Sequence, residues 1–368
     1  MAIWPSPSRR SSCCRRWRIS FTRSLQSAGS ELLSDLTDGK ACDSLKKMDG
    51  IPHRKLYCKP WICAWERRSA SPKEVMSMKI GFIGAGKVGF SLGKYFHEQG
   101  FALAGYYSRT FQSAAEAAAF TASDAYEDRS ELVKASDVLF LTVPDGAIAA
   151  AYAAVCQQPI QGKIICHCSG ALTAASAFPD IEQRGAAGFA VHPLVAVSSR
   201  KTSYRELADV FFTLEGTAAR FAEMQAWLMR AGLHVQPIAA AAKAKYHCAA
   251  AIASNQVAAL FAQSQQLLED CGFTPENARA ALGPLFLGNA RHVAEAGPVA
   301  ALTGPVERAD LGTVKKHLKT LPDDDDRLLY LLLSARLLRI ARQKHPARDY
   351  QSIQTFIDAE TARLRQKG

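Results

Sequence analysis

The stretch "KIGFIGAGKVGF", residues 79–90, decides the fold that the sequence predicts. Its apolar start is short enough for a buried parallel strand, and the "GAGKVG" that follows has the G-x-G-x-x-G spacing. In such a turn the first glycine permits a tight bend, the second lets a pyrophosphate approach the backbone, and the third lets the next helix pack on its strand. That helix would also offer unpaired N–H groups to phosphates. We therefore expect a dinucleotide, rather than an empty turn, at Gly84, Ala85, Gly86, Lys87, Val88 and Gly89.

The text after this turn alternates between strand and helix patterns as far as residue 238. Short apolar runs that end at turn residues predict six further strands within 101–108, 135–145, 162–170, 185–194, 209–216 and 233–238. Helix patterns separate several of these runs, the first of them ending at a glycine stop signal, Gly100. This alternation predicts an α/β fold with a doubly wound, mostly parallel sheet over residues 78–238.

The end of the second strand indicates which dinucleotide binds. An NAD site has an acidic residue there, which grips the ribose 2′-hydroxyl. This chain has Ser108, Arg109 and Thr110 instead. A guanidinium and two hydroxyls suit a 2′-phosphate, so NADP is the expected cofactor. The alternative is that Arg109 is a solvated turn residue.

Strand patterns stop after Pro237, and we expect residues 239–368 to form a helical domain. The text over 239–272 can run as one helix of about thirty residues. A second helix is expected to begin with Thr274 as its N-cap and Pro275 at its first position. Two further helices are predicted within 310–321 and 325–344.

The expected long helix carries a group of polar side chains. Lys243 and His247 are four residues apart and share a face, Ser254 follows on the same stripe, and Asn255 lies beside it. Such groups are costly to bury without partners, so a substrate in a water-excluding cleft would account for them. The alternative is a solvated face with one core histidine. Lys245 lies on an ordinary face, and we expect no role for it.

The segment ahead of residue 78 differs in composition from the rest of the chain. Residues 1–77 hold 15 Lys and Arg against 7 Asp and Glu, whereas residues 78–368 hold 30 against 27. The basic balance is therefore confined mostly to the front segment and does not indicate a nucleic-acid-binding surface. The front segment is compatible with upstream sequence ahead of a start at Met76 or Met78, with a transit peptide, or with a functional tail. We exclude it from the fold as a non-globular extension.

The remaining sequence excludes several classes of protein. No apolar run approaches the roughly 18 residues that cross a bilayer, so no membrane association is expected. The five cysteines after Met78 have no metal-ligand spacing, which predicts no metal site and favours a reducing, cytoplasmic location.

Several stretches together resemble a bacterial family of Rossmann-type NADP oxidoreductases. They are "TVPD" (142–145), "HCSGAL" (167–172), "VHPL" (191–194), "KAKYHCAAAIASN" (243–255), "PLFLGNARHV" (284–293) and "ALTGPVERADLGTVKKHL" (301–318). The family is grouped with ketopantoate reductase, pyrroline-5-carboxylate reductase and deazaflavin-dependent NADP reductase. Two positions depart from it: Arg308-Ala309-Asp310 stands where the family has Arg-Gly-Asp, and His247 stands where related reductases have Asn. The family pattern therefore does not fix the backbone of the 308–310 turn.

The resemblance implies further site residues and a dimer. Val143, Pro144 and Ser169 would lie beside the cofactor, and a helical domain like that of 6-phosphogluconate dehydrogenase would cover the nicotinamide and form a homodimer. The substrate side would include Gly170, His192, Ser254, Thr303 and Arg308.

We thus expect an NADP-dependent reductase that acts on the C=O or C=N bond of a small, carboxylate-bearing metabolite such as a ketopantoate-like 2-oxo acid. Lys243 would orient the substrate and protonate its developing oxyanion, His247 would assist as donor or relay, and Asn255 would anchor the substrate. A regulatory protein that binds NADPH without turnover is the alternative, although it would not need the Lys243–His247–Ser254 stripe.

Overall fold

A computed structural model of the protein describes residues 78–366. The expectations for residues 1–77 lie outside the described residues. The strands in the described part are β1 (Ile80–Ile83), β2 (Leu103–Tyr107), β3 (Asp124–Tyr126), β4 (Val138–Leu141), β5 (Ile164–His167), β6 (Ala187–Pro193), β7 (Phe211–Gly216) and β8 (His234–Pro237).

These strands form a single sheet in the order β3-β2-β1-β4-β5-β6-β7-β8. Every neighbouring pair is parallel except β6 and β7, which run antiparallel. The chain winds outward from β1 through β2 to β3 and then returns to place β4 on the other side of β1. The predicted α/β fold with a doubly wound, mostly parallel sheet is confirmed.

Helices connect the strands and then make up the rest of the described chain. Before residue 239 they are α1 (Lys87–Glu98), α2 (Phe111–Thr121), α3 (Arg129–Ala135), α4 (Asp145–Val155), α5 (Ala174–Ala177) and α6 (Phe221–Arg230). After it they are α7 (Lys243–Ala253), α8 (Asn255–Asp270), α9 (Pro275–Ala301), α10 (Leu311–Thr320), α11 (Asp324–Lys344) and α12 (Gln351–Arg365).

Both faces of the sheet are buried, which explains why its strands are apolar without alternation. On one face Phe82 and Phe140 pack with Trp227 of α6 and with side chains of α1 and α2. On the other face Leu139 and Leu141 pack against side chains of α3, α4 and α5. The carboxyl ends of the strands are thus held on a rigid support, and the loops that follow them form the site described below.

The helical part is packed unevenly. Helices α10, α11 and α12 share a core of their own that includes Val314, Leu331 and Ile353. In contrast, α8 has no buried residue, and the 27 residues of α9 include two buried ones, Ala278 and Ala301. Most of this helix pair is therefore accessible, and α9 exposes the apolar side chains of Leu285, Phe286, Leu287 and Val293.

The structure corrects the prediction of one helix of about thirty residues over 239–272. A 3₁₀ turn (Ala240–Ala242) leads into α7, and the helix is interrupted at Ser254, which has φ −121° and ψ −66°. The Ser254 hydroxyl lies within hydrogen-bond distance of two acceptors, the Ala250 carbonyl at 2.9 Å and Asn255 Oδ1 at 3.1 Å. Local bonds of this kind compete with the helical backbone, which accounts for the break.

Other differences concern short or terminal elements. The prediction lacked β3, α3, α5 and α12. The expected N-cap Thr274 accepts a hydrogen bond from the backbone amide of Asn277 at 3.3 Å. None of the helices within residues 78–366 is long and apolar enough to cross a membrane. The same residues contain no cluster of His, Cys, Asp or Glu side chains that could hold a metal ion.

Candidate active site

The glycine turn lies between β1 and α1, and the space available to a side chain differs among its three glycines. Gly84 has φ +108°, and a Cβ there would lie 2.6 Å from the Thr142 carbonyl oxygen. A Cβ on Gly89 would overlap the Gly84 carbonyl and the Thr142 hydroxyl. At Gly86, however, the nearest atom to a Cβ is the Thr142 carbonyl oxygen at 4.0 Å. Neighbouring protein atoms therefore require glycine at positions 84 and 89, whereas the space beside Gly86 is open to a ligand.

The start of α1 faces this open space. Gly86 is the N-cap residue, no side chain caps the helix, and the first turn holds no acidic residue. The first N–H groups of a helix have no partner within it and carry partial positive charge. Lys87 and Val88 therefore begin a helix end that is suited to a phosphate group.

A cavity of about 690 Å³ continues from the glycine turn along the ends of β1, β2 and β4. Its wall includes Ser108 and Arg109, as the sequence predicts, but Thr110 instead starts α2 as its N-cap. Arg129 is a second guanidinium on the wall, 5.6 Å from the centre of the Tyr107 ring. Sequence reasoning missed Arg129 because it had missed β3 and α3; its position at the start of a helix after a strand is the signal that could have revealed it.

The turns after β4 and β5 meet at the edge of this cavity. Val143 and Pro144 line it, as expected, and the next residue, Asp145, accepts a hydrogen bond from the Ser169 hydroxyl at 2.7 Å. The same Ser169 oxygen accepts from the amides of Ala171 and Leu172 at 3.1 and 3.0 Å. Ser169 is 4% exposed and uses its hydroxyl within the protein. It therefore shapes the turn rather than offering its hydroxyl to a ligand.

Lys243 joins the first helix of the helical part to this turn. Its Nζ donates to the Ser169 carbonyl oxygen at 2.9 Å, and the residue is 1% exposed. Burial lowers the pKa of Lys243, although the nearby carboxylate of Glu215 favours the charged form. The expected lysine is thus close to the carboxyl edge of the sheet, but its ammonium is bound to the backbone of the turn.

Two imidazoles and a phenol surround Gly170, the residue after Ser169. A Cβ on Gly170 would lie 2.6 Å from His247 Nδ1 and 2.9 Å from His192 Nε2. His192 Nδ1 is hydrogen-bonded to the Tyr246 hydroxyl at 2.7 Å. Burial, together with the neighbouring Lys243 and His247, lowers the pKa of His192 to about 4, so this imidazole is neutral at pH 7. Tyr246 was missed by the sequence analysis because its partner lies 54 residues away.

A second cavity, of about 600 Å³, opens beside this group. Its wall includes His192, Tyr246 and His247, and also Ser254 and Asn255 at the break between α7 and α8. The structure therefore brings together four of the residues predicted for catalysis or substrate binding. The side chain of Lys243 is not part of this wall.

Thr303 and Arg308 are placed elsewhere. Thr303 lines a third cavity, of about 630 Å³, between α8, α9 and α11. Arg308 is exposed in the loop that precedes α10, and neither residue lines the cavity that holds His192 and His247. In the same loop Ala309 has φ +60°, a left-handed conformation that favours glycine. The backbone thus adopts at Ala309 the shape that the family's glycine would allow.

Known protein families cover most of the described chain in two parts. Residues 68–193 match the model of a Rossmann-like domain, and residues 210–337 match a domain of unknown function, DUF2520. The first of these matches covers strands β1 to β6 of the sheet. The domain boundary that we expected at residue 238 falls inside the second matched region. No curated protein matches the chain.

Two solved structures have a fold similar to that of this chain. "Putative NADP oxidoreductase BF3122" from Bacteroides fragilis is 24% identical, with a TM-score of 0.54, over 72% of this chain and 99% of that chain. Protein TM1727 from Thermotoga maritima is 23% identical, with a TM-score of 0.59, over 72% of this chain and 99% of that chain. At this level of identity the likeness shows the fold.

Proposed function

We propose that this protein is an NADP-dependent reductase that acts on a C=O or C=N bond of a small metabolite. The observation that carries this proposal is the position of the two cavities along one edge of the mostly parallel sheet, where strands β1 to β6 have their carboxyl ends. Ligands of doubly wound sheets bind where the strand order reverses, and here that point lies between β1 and β4. The glycine turn is at this point, and the histidine-lined cavity lies farther along the same edge, beyond β5. The name of the Bacteroides fragilis protein, which has the same fold, agrees with this class of reaction.

The residues around the first cavity fit NADP. The open space at Gly86 and the uncapped start of α1 would receive the pyrophosphate, and the guanidinium groups of Arg109 and Arg129 would receive the 2′-phosphate. Val143 and Pro144 would support the part of the cofactor that points toward Gly170. When bound, the reduced dinucleotide supplies a hydride.

The second cavity would hold the substrate. Asn255, whose side chain contacts the Ser254 hydroxyl at 3.1 Å, offers an amide, and the exposed His247 offers a ring nitrogen. Both groups suit the polar end of a small oxo or imino acid. A ketopantoate-like 2-oxo acid is our specific candidate. A purely regulatory NADPH-binding protein would need the first cavity but not the second.

Lys243 is proposed to act by position and charge. Its ammonium holds the carbonyl of Ser169, and therefore the turn that carries Gly170, against the start of α7. A positive charge next to the reacting bond would also stabilise an oxyanion as it develops. We expect Lys243→Ala to lower kcat/KM about 100-fold, whereas Lys245→Ala, an exposed neighbour, should have little effect. Equal activities for the two variants would remove Lys243 from the mechanism.

We also propose a homodimer, in which a second copy covers α8 and α9. Helix α9 exposes Leu285, Phe286 and Leu287 at 72%, 37% and 61%, beside the apolar third cavity that α8 and α9 both line. A continuous apolar surface of this kind is unusual on a monomer. The described cysteines are all free thiols, which supports the proposal of a cytoplasmic location.

The test of the proposed function uses the full-length protein. NADPH and NADH affinities are measured by fluorescence, and NADPH oxidation is then measured with a panel of 2-oxo acids, simple ketones and cyclic imines. Gly86→Val is the diagnostic variant, since a Cβ at this position comes no closer than 4.0 Å to the Thr142 carbonyl oxygen, while the branched side chain would enter the proposed phosphate space. We expect this variant to fold with normal stability and to lose NADPH binding.

Three results would decide between the alternatives. Binding with turnover supports the reductase. Binding without turnover for any compound supports the regulatory protein. Failure to bind NADPH, or equal binding by Gly86→Val, contradicts both.

A further inference from the structure

We propose that Tyr246 is the proton donor of the reaction and that His192 resupplies its proton. This inference rests on the proposed function and assigns a role that the sequence analysis gave to Lys243. The residue that donates a proton must reach the substrate, so exposure to the cavity is the first criterion. Tyr246 lines the second cavity, whereas the Lys243 ammonium is buried and bound to the Ser169 carbonyl.

The contact between Tyr246 and His192 has the geometry of a proton relay. The Tyr246 hydroxyl and His192 Nδ1 are 2.7 Å apart, and the two rings meet edge to face with centroids separated by 5.6 Å. A phenol in such a contact can give its own proton to the substrate while it accepts another from the imidazole. Burial raises the pKa of Tyr246, so the hydroxyl is protonated at neutral pH and carries the proton that the step requires.

The second ring nitrogen of His192, Nε2, would receive the replacement proton from solvent. His192 Nε2 and His247 Nδ1 lie 2.9 and 2.6 Å from one point beside Gly170, so the two nitrogens are no more than 5.5 Å apart. One water molecule can bridge such a distance. His247 is exposed, whereas His192 is half-buried, so the three side chains form a path from solvent through His247 and His192 to Tyr246.

The proton and electron balance of the step is complete with the proposed cofactor as reductant. The substrate carbon gains the hydride, the π electron pair of the C=O or C=N bond moves to the oxygen or nitrogen, and that atom takes the Tyr246 proton. The resulting phenolate takes the proton from His192 Nδ1, and His192 gains one at Nε2 from His247 or water. A neutral imidazole can do this by changing tautomer. The net consumption is one hydride and one solvent proton.

Charged groups around His192 support its neutral form. Lys243 and His247 lie on α7, which packs against it, and Asp145 lies at the start of α4. Burial and the two basic neighbours lower the pKa of His192, whereas Asp145 acts in the opposite direction. A permanently charged imidazole could not accept a proton at Nε2, so neutrality is a requirement of the path.

The chain contains a matched control for this pair. Tyr330 of α11 is hydrogen-bonded to Nδ1 of His317 at 2.9 Å, with the rings edge to face at 5.9 Å. Neither of these residues lines the second cavity. Tyr330→Phe therefore removes the same hydroxyl from the same kind of contact, away from the proposed site.

The kinetic test compares the two variants in the full-length protein with NADPH and a substrate found by the panel above. We expect Tyr246→Phe to lower kcat about 100-fold with unchanged NADPH affinity, and Tyr330→Phe to leave kcat unchanged. His192→Ala should lower kcat about 10-fold, with partial rescue by added imidazole. A Tyr246→Phe enzyme that keeps kcat within about threefold of the native value overturns the proposal.

A second measurement does not depend on activity. Nitrogen NMR of the histidine rings should show His192 neutral at pH 6, and Tyr246→Phe should shift its resonances while Tyr330→Phe shifts those of His317. A His192 ring that is charged at pH 6 could not take up a proton at Nε2 and would overturn the proposal. Absence of hydride transfer by the native protein would instead contradict the proposed function, and the donor role with it, while the NMR result still decides whether the pair exists.

Discussion

The central strands of the sheet bury their apolar side chains, whereas the helix pair α8–α9 leaves large apolar side chains exposed. All four residues of β4 are 0% exposed, because helices cover both faces of the sheet. In α9, Leu285 and Leu287 are 72% and 61% exposed. The sheet is packed on both faces within the chain, whereas in the proposed dimer the helix pair would supply one side of a contact between two copies. Stability in the first region should therefore depend on the single chain, and in the second on the association of two chains.

The largest expected effect is in the sheet. Phe140→Ala should lower the free energy of unfolding by about 3–5 kcal/mol, since it removes a ring that packs between Phe82 and Trp227. The loss, measured by chemical denaturation, should be the same at low and high protein concentration. As a control, Leu287→Ala should cost little in dilute protein. A similar cost for both variants in dilute protein would erase the contrast between the two regions.

The next effect concerns the helix pair. Leu285→Glu should weaken self-association by about 100-fold or more, because it places a charge in the proposed contact between copies. Sedimentation would then give the mass of a single chain under conditions where the native protein is a dimer. Leu329→Glu, a change on α11 at a leucine that is 39% exposed, should leave the dimer intact. A native protein that sediments as a monomer would mean that something other than a second copy covers this surface.

A smaller effect tests the ligand edge of the sheet. Arg109→Asp should weaken NADPH binding at least 10-fold and leave NADH binding equal or better, because it removes a phosphate partner and adds an acceptor for the ribose hydroxyl. Calorimetric titration of both cofactors would measure the preference. Arg308→Asp makes the same change of charge outside the proposed site and should alter neither affinity. An unchanged preference in Arg109→Asp would show that this arginine is only a solvated turn residue.

The smallest effect sharpens the description of the helical part. Ala309→Gly should raise the free energy of unfolding by about 0.5–1 kcal/mol, because φ is +60° there and glycine adopts this conformation without strain. Ala362→Gly, in an exposed position of α12, should lower it by a similar amount. If both changes destabilise the protein equally, the turn at residue 309 is not strained.

Local patterns predicted the sheet but not the residues that complete the site. Gly84, Gly86 and Gly89 could be found from the sequence because their spacing reflects the steric demands of one turn. The break at Ser254 could not, since the text on both sides favours helix and the side-chain bonds that compete with the backbone depend on the fold. Arg129 and Tyr246 acquire their contacts only when the chain folds and brings distant segments together. The same holds for Lys243, whose ammonium contacts a carbonyl 74 residues earlier in the chain.

The wall of the second cavity has a further consequence for how specificity could change. Five of its twelve residues are alanines, at positions 196, 249, 250, 251 and 253. The room in the cavity thus depends on side chains that end at Cβ, whereas the polar groups come from other positions. In the proposed reductase, the bulk of the accepted molecule and the chemistry performed on it are encoded separately. Replacing one alanine by valine or leucine would narrow the range of accepted molecules while Tyr246, His192 and His247 stay in place. A single substitution would therefore be enough to change the selectivity.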